Sequence, residues 1–308
     1  MQLNPEEILI NGKALRINSL EYDGVKLIIE GNLIKTAKLL EEWYDDVLEP
    51  ESIIRVLKDL PEKPDIFTFW QRLPATEPKY QYYVEWESVA AIPIKSYKQW
   101  WEKQISSKTR NMVRKAEKSG VIIKKTDFDD ECIRGMANIF NENPIRQGKR
   151  FWHYGKNMDM IKKEFSRFLY REEIVGAYLN NELIGFIMLC FAGQYAILGQ
   201  IISKIEHRDK APNNALIAKA VEICAELKIP YLTYGAWRRG TLGDFQSHNG
   251  FEEFLLPRYY IPLTMKGNLM ILLKLHNGIK TIIPENIVLR FVELRAKWYS
   301  FKYGQAIK

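Results

Sequence analysis

The chain has 308 residues, of which 46% are hydrophobic and 27% are charged, and its formal net charge is +7. It is long enough for one large domain or two modest domains with proper cores. The longest apolar run, residues 183–192, is too short to span a bilayer, and no internal repeat or low-complexity segment is visible. Transmembrane and repeat proteins are therefore excluded.

Three cysteines, Cys132, Cys190 and Cys224, are spread along the chain, and two of them fall inside apolar runs. Such cysteines are typical of reduced packing residues, so a cytoplasmic setting is expected. The first ten residues show no basic region before an apolar core, so no targeting signal is expected. No metal-ligand spacing, Ser-His-Asp order or Walker loop is present, and no metal is predicted.

The positive charge is concentrated in two stretches. Residues 96–125 and residues 258–308 each contain nine Lys or Arg and two Glu, so the remainder of the chain is net negative. Basic stretches of this kind attract nucleic acid, anionic lipid or a polyanionic cofactor. A solvated helix face is the commoner explanation of such a pattern.

Residues 1–78 are predicted to form an α/β extension or subdomain. Two short strand-like runs flank Asp23-Gly24, which is a hairpin signal, and helices are predicted over residues 34–47 and 51–60. The run DIFTFWQRLP is predicted to be a further strand. No residue of this segment demands a chemical role.

A strand over residues 80–94 is followed by a predicted helix over 96–120, with Ser96 as its cap and Gly120 at its end. One face of this helix is apolar, and Lys and Arg crowd the other faces. If the substrate were a tRNA, this basic helix would be a natural phosphate contact. Otherwise it is a solubilising surface.

A strand over 121–125 and a helix over 129–141 lead to a loop, NENPIRQGKRFWHYGKN, that concentrates polar and aromatic side chains. Functional loops often have this composition. His153, in this loop, has an ordinary pKa near neutrality and is a candidate general base, although a lone histidine is more often structural. A helix over 162–170 and three antiparallel strands, up to residue 203, follow.

The stretch from 194 to 251 is predicted to form a βαβ unit. A strand over residues 195–203 precedes a helix with Asp209 as its cap and Pro212 in its first turn, and a second, parallel strand spans 231–237. The free backbone N–H groups at the start of the helix favour a phosphate or pyrophosphate, and Asn213 and Asn214 are candidate donors. Most βαβ units nevertheless bind nothing at this position.

Two phrases of the sequence carry a family resemblance. SSKTRNMVRKAEKSGV, residues 106–121, and TLGDFQSHNGF, residues 241–251, resemble phrases of the FemAB-like branch of the GNAT acyltransferase superfamily, in the same order. The resemblance covers residues 80–264. It implies a GNAT-like α+β or α/β core over 79–264, with a mixed and mostly antiparallel sheet flanked by helices. The sequence of the second phrase itself predicts a glycine-rich loop that ends in Phe251.

The resemblance also implies a function. The chain is expected to be an N-acyltransferase that moves an acyl group from acetyl-coenzyme A, or another acyl-coenzyme A, to an amine of a small molecule or a cell-envelope precursor. The usual glycine-containing phosphate loop is replaced here by HRDKAPNN. Some FemAB-like members take an aminoacyl group from tRNA, and this donor is the first alternative; an inert module that binds RNA or a membrane is the second.

Direct acyl transfer needs a base, donors for the oxyanion and an acid for the leaving group. Tyr234 is the candidate acid, His153 the candidate base, and Ser247 competes for a catalytic role. The backbone around Gln200 to Ser203 is the candidate source of oxyanion donors. The predicted donor-binding residues are Gln200, Ile202, Ser203, Lys210, Asn213, Asn214 and Asn249.

The segment 265–308 is predicted to be a basic helical tail. It combines apolar helical turns with Lys, Arg and aromatic residues. Such a tail can lie on an anionic membrane surface, which would place the enzyme peripherally at the inner face of the membrane. A helix packed across the domain is the alternative.

Overall fold

The computed structural model describes residues 3–10, 13–146, 148–166 and 169–278, together with residues 294, 297 and 298. The strands are β1 (Asn4–Ile10), β2 (Lys13–Tyr22), β3 (Val25–Glu30), β4 (Thr36–Leu39), β5 (Ile66–Trp70), β6 (Tyr83–Pro93), β7 (Ile122–Thr126), β8 (Ile145–Arg146), β9 (Lys149–Arg150), β10 (Glu172–Leu179), β11 (Glu182–Ala192), β12 (Tyr195–Ser203), β13 (Tyr231–Thr233) and β14 (Glu252–Pro262). The α-helices are α1 (Pro50–Lys58), α2 (Tyr97–Gln99), α3 (Ser107–Lys118), α4 (Asp130–Asn141), α5 (Met158–Phe165), α6 (Pro212–Glu226), α7 (Thr241–His248) and α8 (Met265–Leu272).

Within these residues, twelve strands form one sheet in the order β1-β2-β3-β4-β5-β14-β6-β13-β12-β11-β10-β7. Its pairs are antiparallel except for β4 with β5 and β12 with β13. The predicted fold class, a mixed and mostly antiparallel sheet flanked by helices, is therefore confirmed. β14 lies between β5 and β6, so the sheet is continuous across the boundary predicted at residues 78 and 79. That domain boundary stays a prediction.

The N-terminal part departs from the prediction in two segments. The run ILINGKALRIN, predicted as one strand, is divided between β1 and β2, which pair antiparallel. The Asp23-Gly24 hairpin is present, with both residues at positive φ. The helix predicted over 34–47 is wrong, because residues 36–39 form β4 between β3 and β5. Ala37 and Leu39 alternate into the core there, so pairing with two neighbouring strands outweighs the helical spacing.

The basic helix is interrupted. The Ser96 cap is confirmed, but a π-helical turn (Trp100–Gln104) follows α2, and Ser106 caps a new helix, α3. Trp100 is fully buried, and its indole Nε1 donates to the backbone oxygen of Asn249 at 3.0 Å. The Arg110 guanidinium donates to the oxygens of Trp101 and Ile105, which satisfies carbonyls freed at the break.

The predicted βαβ unit is present as β12, α6 and β13, and β12 and β13 run parallel. The helix begins at Pro212 as predicted, but its cap is Ala211, in the left-handed conformation, and not Asp209. Asp209 lies in a 3₁₀ turn (Arg208–Lys210) and pairs with Lys210. β13 is shorter than predicted, since it ends at Thr233.

The glycine-rich loop predicted for the phrase TLGDFQSHNGF is wrong, because this phrase contains a helix. Residues 241–248 form α7, which packs tightly on the preceding loop. A Cβ at Gly243 would lie only 2.0 Å from the backbone oxygen of Arg238. A residue without a side chain is therefore required at this contact.

The tail is described only in part. α8 begins after Thr264, whose side chain accepts a hydrogen bond from Gly267, and a 3₁₀ turn (Leu275–Asn277) follows. Most of the tail predicted as helical, from residue 279 onward, lies outside the described residues. Among the helices that are described, none is both long and apolar enough to cross a bilayer.

The Gly243→Ala variant tests the packing of α7. In an open helix this change adds roughly 1 kcal/mol of stability, but the contact with the Arg238 carbonyl should reverse the sign and cost about 1–3 kcal/mol. Urea unfolding measures the difference. Ser247→Ala in the same helix is the control, because Ser247 is exposed and should change the free energy of unfolding little. A Gly243→Ala protein more stable than the wild type would contradict this packing.

Candidate functional site

The sheet opens between β12 and β13. The two strands pair only from Tyr195↔Tyr231 to Ile197↔Thr233. The next residue, Tyr234, donates its backbone N–H to Ala90 of β6, and Gly235 accepts from Ala90, both at 2.9 Å. The chain thus follows β6, while β12 continues to Ser203 beside β11. Over residues 198–203, β12 therefore has a strand partner on one side only among the described residues.

A groove occupies this opening. Its wider part is a cavity of about 640 Å³ between the start of α6 and α7, lined by Ile201, Arg208, Asn213, Tyr234, Thr241, Leu242 and Phe245. A smaller part, about 280 Å³, shares Ile201, Arg208 and Asn213 with it and is lined further by Arg146, Lys149, Arg150, Phe151, Trp152, Gln200, Ile202 and Ser203. One end of the groove is thus mixed apolar and polar, and the other end is cationic.

Tyr234, the predicted acid, lines the wider part of the groove. Its ring lies 5.9 Å from the ring of Phe251. Burial raises the pKa of the Tyr234 hydroxyl above its ordinary value, so the group keeps its proton at neutral pH. It can therefore donate a proton or a hydrogen bond into the groove.

The loop that carries Tyr234 is held by a residue that sequence reasoning missed. Gln246 is almost fully buried, and its side-chain Nε2 donates to the backbone oxygens of Tyr234 and Ala236 at 3.2 and 3.1 Å. Its Oε1 accepts from the backbone N–H of Arg238 at 3.0 Å. The only sequence signal was its place inside the second family phrase, directly before Ser247.

Asn213, at the start of α6, lines both parts of the groove, and its Oδ1 is buried without a hydrogen-bond partner in the described structure. An unsatisfied buried amide oxygen beside a cavity is a feature that a ligand can satisfy. Arg208 lies one turn upstream and adds a positive charge to the same end of α6.

Three other residues predicted to bind the donor lie elsewhere. Asn214 Nδ2 donates to Asn249 Oδ1 at 3.0 Å, which ties α6 to α7. Asn249 is fully buried, and its own Nδ2 donates to the backbone oxygen of Phe245. Lys210 pairs with Asp209. Of the predicted donor-binding set, Gln200, Ile202, Ser203 and Asn213 line the groove, and all seven stay predictions as ligand contacts.

The cationic end is organised by an ion pair. Arg146, which is mostly buried, pairs with Glu142 at 2.9 Å and donates to the backbone oxygen of Ser203 at 2.8 Å. Glu142 also accepts from the backbone N–H groups of Ile205 and Glu206. The loop after α4 is thereby fastened to the end of β12. Its polar and aromatic composition was the sequence signal for this site, but Arg146 itself was not predicted.

His153 does not line the groove. It is fully buried, with its ring stacked on Phe140 at a centroid distance of 4.1 Å. Burial, and then the positive charge of Lys156, lower the pKa of His153 to about 3. Its Nδ1 lies 3.1 Å from Lys156 Nζ. The general-base role stays a prediction, but these surroundings favour a neutral packed ring.

Ser247 is exposed on α7 and is not among the residues that line the two cavities. Its catalytic role also stays a prediction. Across the residues that the structure describes, no group of three His, Cys, Asp or Glu side chains is placed to hold a metal ion.

The outer face of α3 is basic. Lys108, Arg114, Lys115 and Lys118 are exposed, whereas Arg110 is half-buried at the helix break. Lys115 interacts electrostatically with Asp209 in the turn before α6. The basic face of α3 therefore approaches the turn that contains Arg208.

No family model matches the sequence, and no curated protein is similar to it in sequence. Solved structures are similar in fold. FemX is 12% identical with a TM-score of 0.58, over 83% of this chain and 89% of that chain. L-PGS from Bacillus licheniformis is 11% identical with a TM-score of 0.54, over 83% and 88% of the two chains. A conserved protein of unknown function from Bacteroides thetaiotaomicron is 10% identical with a TM-score of 0.53, over 80% and 86%. The chain therefore has the GNAT fold in its FemAB-like form.

Proposed function

We propose that this protein is an N-acyltransferase that moves an acyl group, such as acetyl, from acyl-coenzyme A to an amine by direct attack. The observation that carries the proposal is the opened edge of β12 over residues 198–203, which faces a groove containing a protonated tyrosine. The similarity in fold to FemX and L-PGS supports the reaction class, and it does so through the fold alone.

The unpaired edge of β12 is suited to the acyl carbonyl. Backbone N–H groups along Gln200 to Ser203 that point away from β11 would donate to the carbonyl oxygen. They would also stabilise the negative charge that develops on this oxygen when the amine attacks. Because the strand is fixed on its other side by β11, these donors need no reorganisation during the reaction.

In the proposed reaction Tyr234 is the general acid. The amine nitrogen attacks the thioester carbon, a C–N bond forms and the C–S bond breaks. Tyr234 protonates the departing thiolate and recovers a proton, by way of water, from the nitrogen that has attacked. No Asp, Glu or His is among the residues that line the groove, so the acceptor would react as the free amine.

The start of α6 would hold the phosphates of the donor. Pro212 has no backbone N–H and that of Asn214 donates to the oxygen of Ala211, so the phosphates would be held by the backbone and side chain of Asn213 and by the charge of Arg208. The wider cavity, about 640 Å³, is within the range of small-molecule sites. The acceptor would be an amine of a small molecule or a cell-envelope precursor, and the cationic end would favour one that also carries a phosphate or carboxylate.

An aminoacyl-tRNA donor is the second candidate. It is favoured by the exposed basic face of α3, which approaches the turn before α6 and would continue a phosphate-binding surface toward the groove. In this reaction the leaving group is the ribose oxygen, which Tyr234 would protonate in the same way.

The Tyr234→Phe variant tests the acid. We expect turnover to fall by on the order of 10²-fold while the dissociation constant of the acyl donor stays unchanged, because only the proton donor is removed. Steady-state kinetics and calorimetry measure the two quantities. Tyr83→Phe, an exposed tyrosine at the start of β6 and outside the groove, is the control. Full turnover by Tyr234→Phe would remove this residue from the mechanism.

The Asn213→Asp variant tests the phosphate site. A carboxylate beside the first turn of α6 should weaken acetyl-coenzyme A binding by about tenfold, through repulsion of the pyrophosphate. The shift of the unfolding midpoint by the ligand reports the affinity. Asn32→Asp, an exposed position in the loop before β4, makes the same change in charge. Equal affinities of the two variants would place the phosphates elsewhere.

Reversal of charge on α3 tests the second candidate. The triple change of Lys108, Arg114 and Lys115 to Glu should weaken tRNA binding by at least about tenfold and flatten its dependence on salt. Arg110 is left intact, because it satisfies carbonyls at the helix break. The same change at the exposed Lys58, Lys63 and Lys79 is the control. Unchanged aminoacyl transfer by the α3 variant would reject tRNA binding by this helix.

A further inference from the structure

The Arg146 side chain has one N–H group without a partner. The side chain is only 9% exposed and lines the narrower, cationic part of the groove. Its Nη1 donates to the backbone oxygen of Ser203 at 2.8 Å, and its Nη2 donates to the oxygen of Ile139 and to the Glu142 carboxylate, both at 2.9 Å. Its Nε–H is buried and has no hydrogen-bond partner in the described structure. A buried charged donor left unpaired is costly, and a ligand oxygen would satisfy it.

Like charges converge around this group. In the ribbon of β8 and β9, Lys149 lies directly opposite Arg146, an arrangement that destabilises a pair of strands. Arg150 and Arg208 line the same part of the groove, and none of the residues that line it in the described part of the chain is acidic. Burial lowers the pKa of Arg146, Glu142 opposes this change, and the positive charge of Arg208 adds to it. An anion in the narrower part of the groove would relieve this repulsion.

The cationic side chains lie at the open edge of β12. Ser203 precedes Lys204, whose backbone N–H donates to Ile184 of β11 at 2.8 Å. Because backbone groups alternate in direction along an antiparallel strand, those of Ser203 and Ile201 point away from β11. Arg146, which binds the Ser203 oxygen, therefore lies within about 10 Å of both N–H groups, since a strand rises by about 3.3 Å per residue.

This distance limits the length of the acceptor. In the proposed reaction the amine attacks a carbonyl whose oxygen is held by these N–H groups. With about 3 Å for each hydrogen bond, an acid group on Arg146 would lie about 7 Å or less from the attacking nitrogen. That gap corresponds to about five covalent bonds or fewer. The narrower part of the groove, about 280 Å³, is also small for a ligand site.

We propose, on the basis of the acyl transfer proposed above, that the acceptor is a small amino acid or amino phosphate. Its acid group is bound by Arg146, Lys149 and Arg150, within a few bonds of the amine. The same positive charge helps to keep the amine unprotonated, because it disfavours a second positive charge nearby. The products are the N-acylated acid and free coenzyme A, and the proton of the amine reaches the thiolate by way of Tyr234. An amine far from its acid group would not reach both points.

Nuclear magnetic resonance of arginine Nε–H groups tests the anion site without any acyl transfer. Inorganic phosphate and acetate are titrated separately into the full chain at constant ionic strength. The Arg146 signal is assigned through its contact with the Phe151 ring, 5.0 Å away. We expect a saturable shift of this signal with at least one of the ions, and the shift should persist when coenzyme A is present at saturation. Absence of the shift, or its loss with coenzyme A, would overturn the proposal.

The double change Lys149→Gln and Arg150→Gln should weaken the affinity for the ion by at least about tenfold. Both positions are exposed, so the contacts of Arg146 with Ser203 and Glu142 stay intact. The matched control is the same change at the exposed Lys58 and Lys63, which should bind the ion normally. Equal affinities of the two double variants would remove Lys149 and Arg150 from the site and overturn the proposal.

A series of acceptors tests the short distance between acid and amine. The α-amino acids, β-alanine and phosphoethanolamine carry the two groups close together, 8-aminooctanoate carries them far apart, and butylamine has no acid. Release of coenzyme A from acetyl-coenzyme A measures kcat/KM, which should be at least about tenfold higher for the best short acid than for 8-aminooctanoate and butylamine. The double change at Lys149 and Arg150 should remove this preference.

The outcomes separate the acceptor from the reaction itself. Equal use of butylamine, or no transfer to any short acid, would overturn the acceptor class. If acetyl-coenzyme A still raised the unfolding midpoint, the donor site would stand. A chain that does not bind acetyl-coenzyme A would instead refute the proposed acyl transfer, whereas the titrations with phosphate and acetate alone would still test the anion site.

Discussion

The short pairing between β12 and β13 is the constraint on which the site depends. β13 contributes only three residues to the sheet, and the chain after it hydrogen-bonds to β6. Among the described residues, the edge of β12 over residues 198–203 that faces away from β11 is then left without a strand partner. A bound acyl donor would satisfy backbone groups along this edge. The early end of the β12–β13 pairing therefore leaves an opening in the sheet where a polar ligand would bind.

A buried polar network keeps this opening in shape. Gln246 bonds to three backbone groups of the loop after β13, and Asn249 links α7 to α6 and to Trp100. Gln246 lies on α7, which is only eight residues long, and Asn249 directly follows the end of this helix. A helix of that length is marginal alone, so its position comes from these contacts and from the close approach at Gly243. Gln246 acts as a positioning residue for Tyr234.

The two ends of the groove differ in the residues that line them, and this difference would suit a transfer from an acyl donor to a chemically different acceptor. The wider end, at the start of α6, combines apolar walls with Asn213 and Arg208, which would suit the proposed acyl donor with a phosphate-bearing carrier. The narrower end is cationic and is fastened to β12 by the pair of Glu142 and Arg146.

Local patterns in the sequence determined the meander, the βαβ unit, the cap at Ser96 and the candidate Tyr234, because alternation, capping and turn chemistry act over a few residues. The two family phrases indicated the GNAT-like fold. Only the tertiary structure decided that residues 36–39 form a strand, that Asn214 and Asn249 bond to each other, and that His153 is buried. It also revealed Gln246 and Arg146. These outcomes depend on partners far away in the chain, whose pairing and burial no local pattern records.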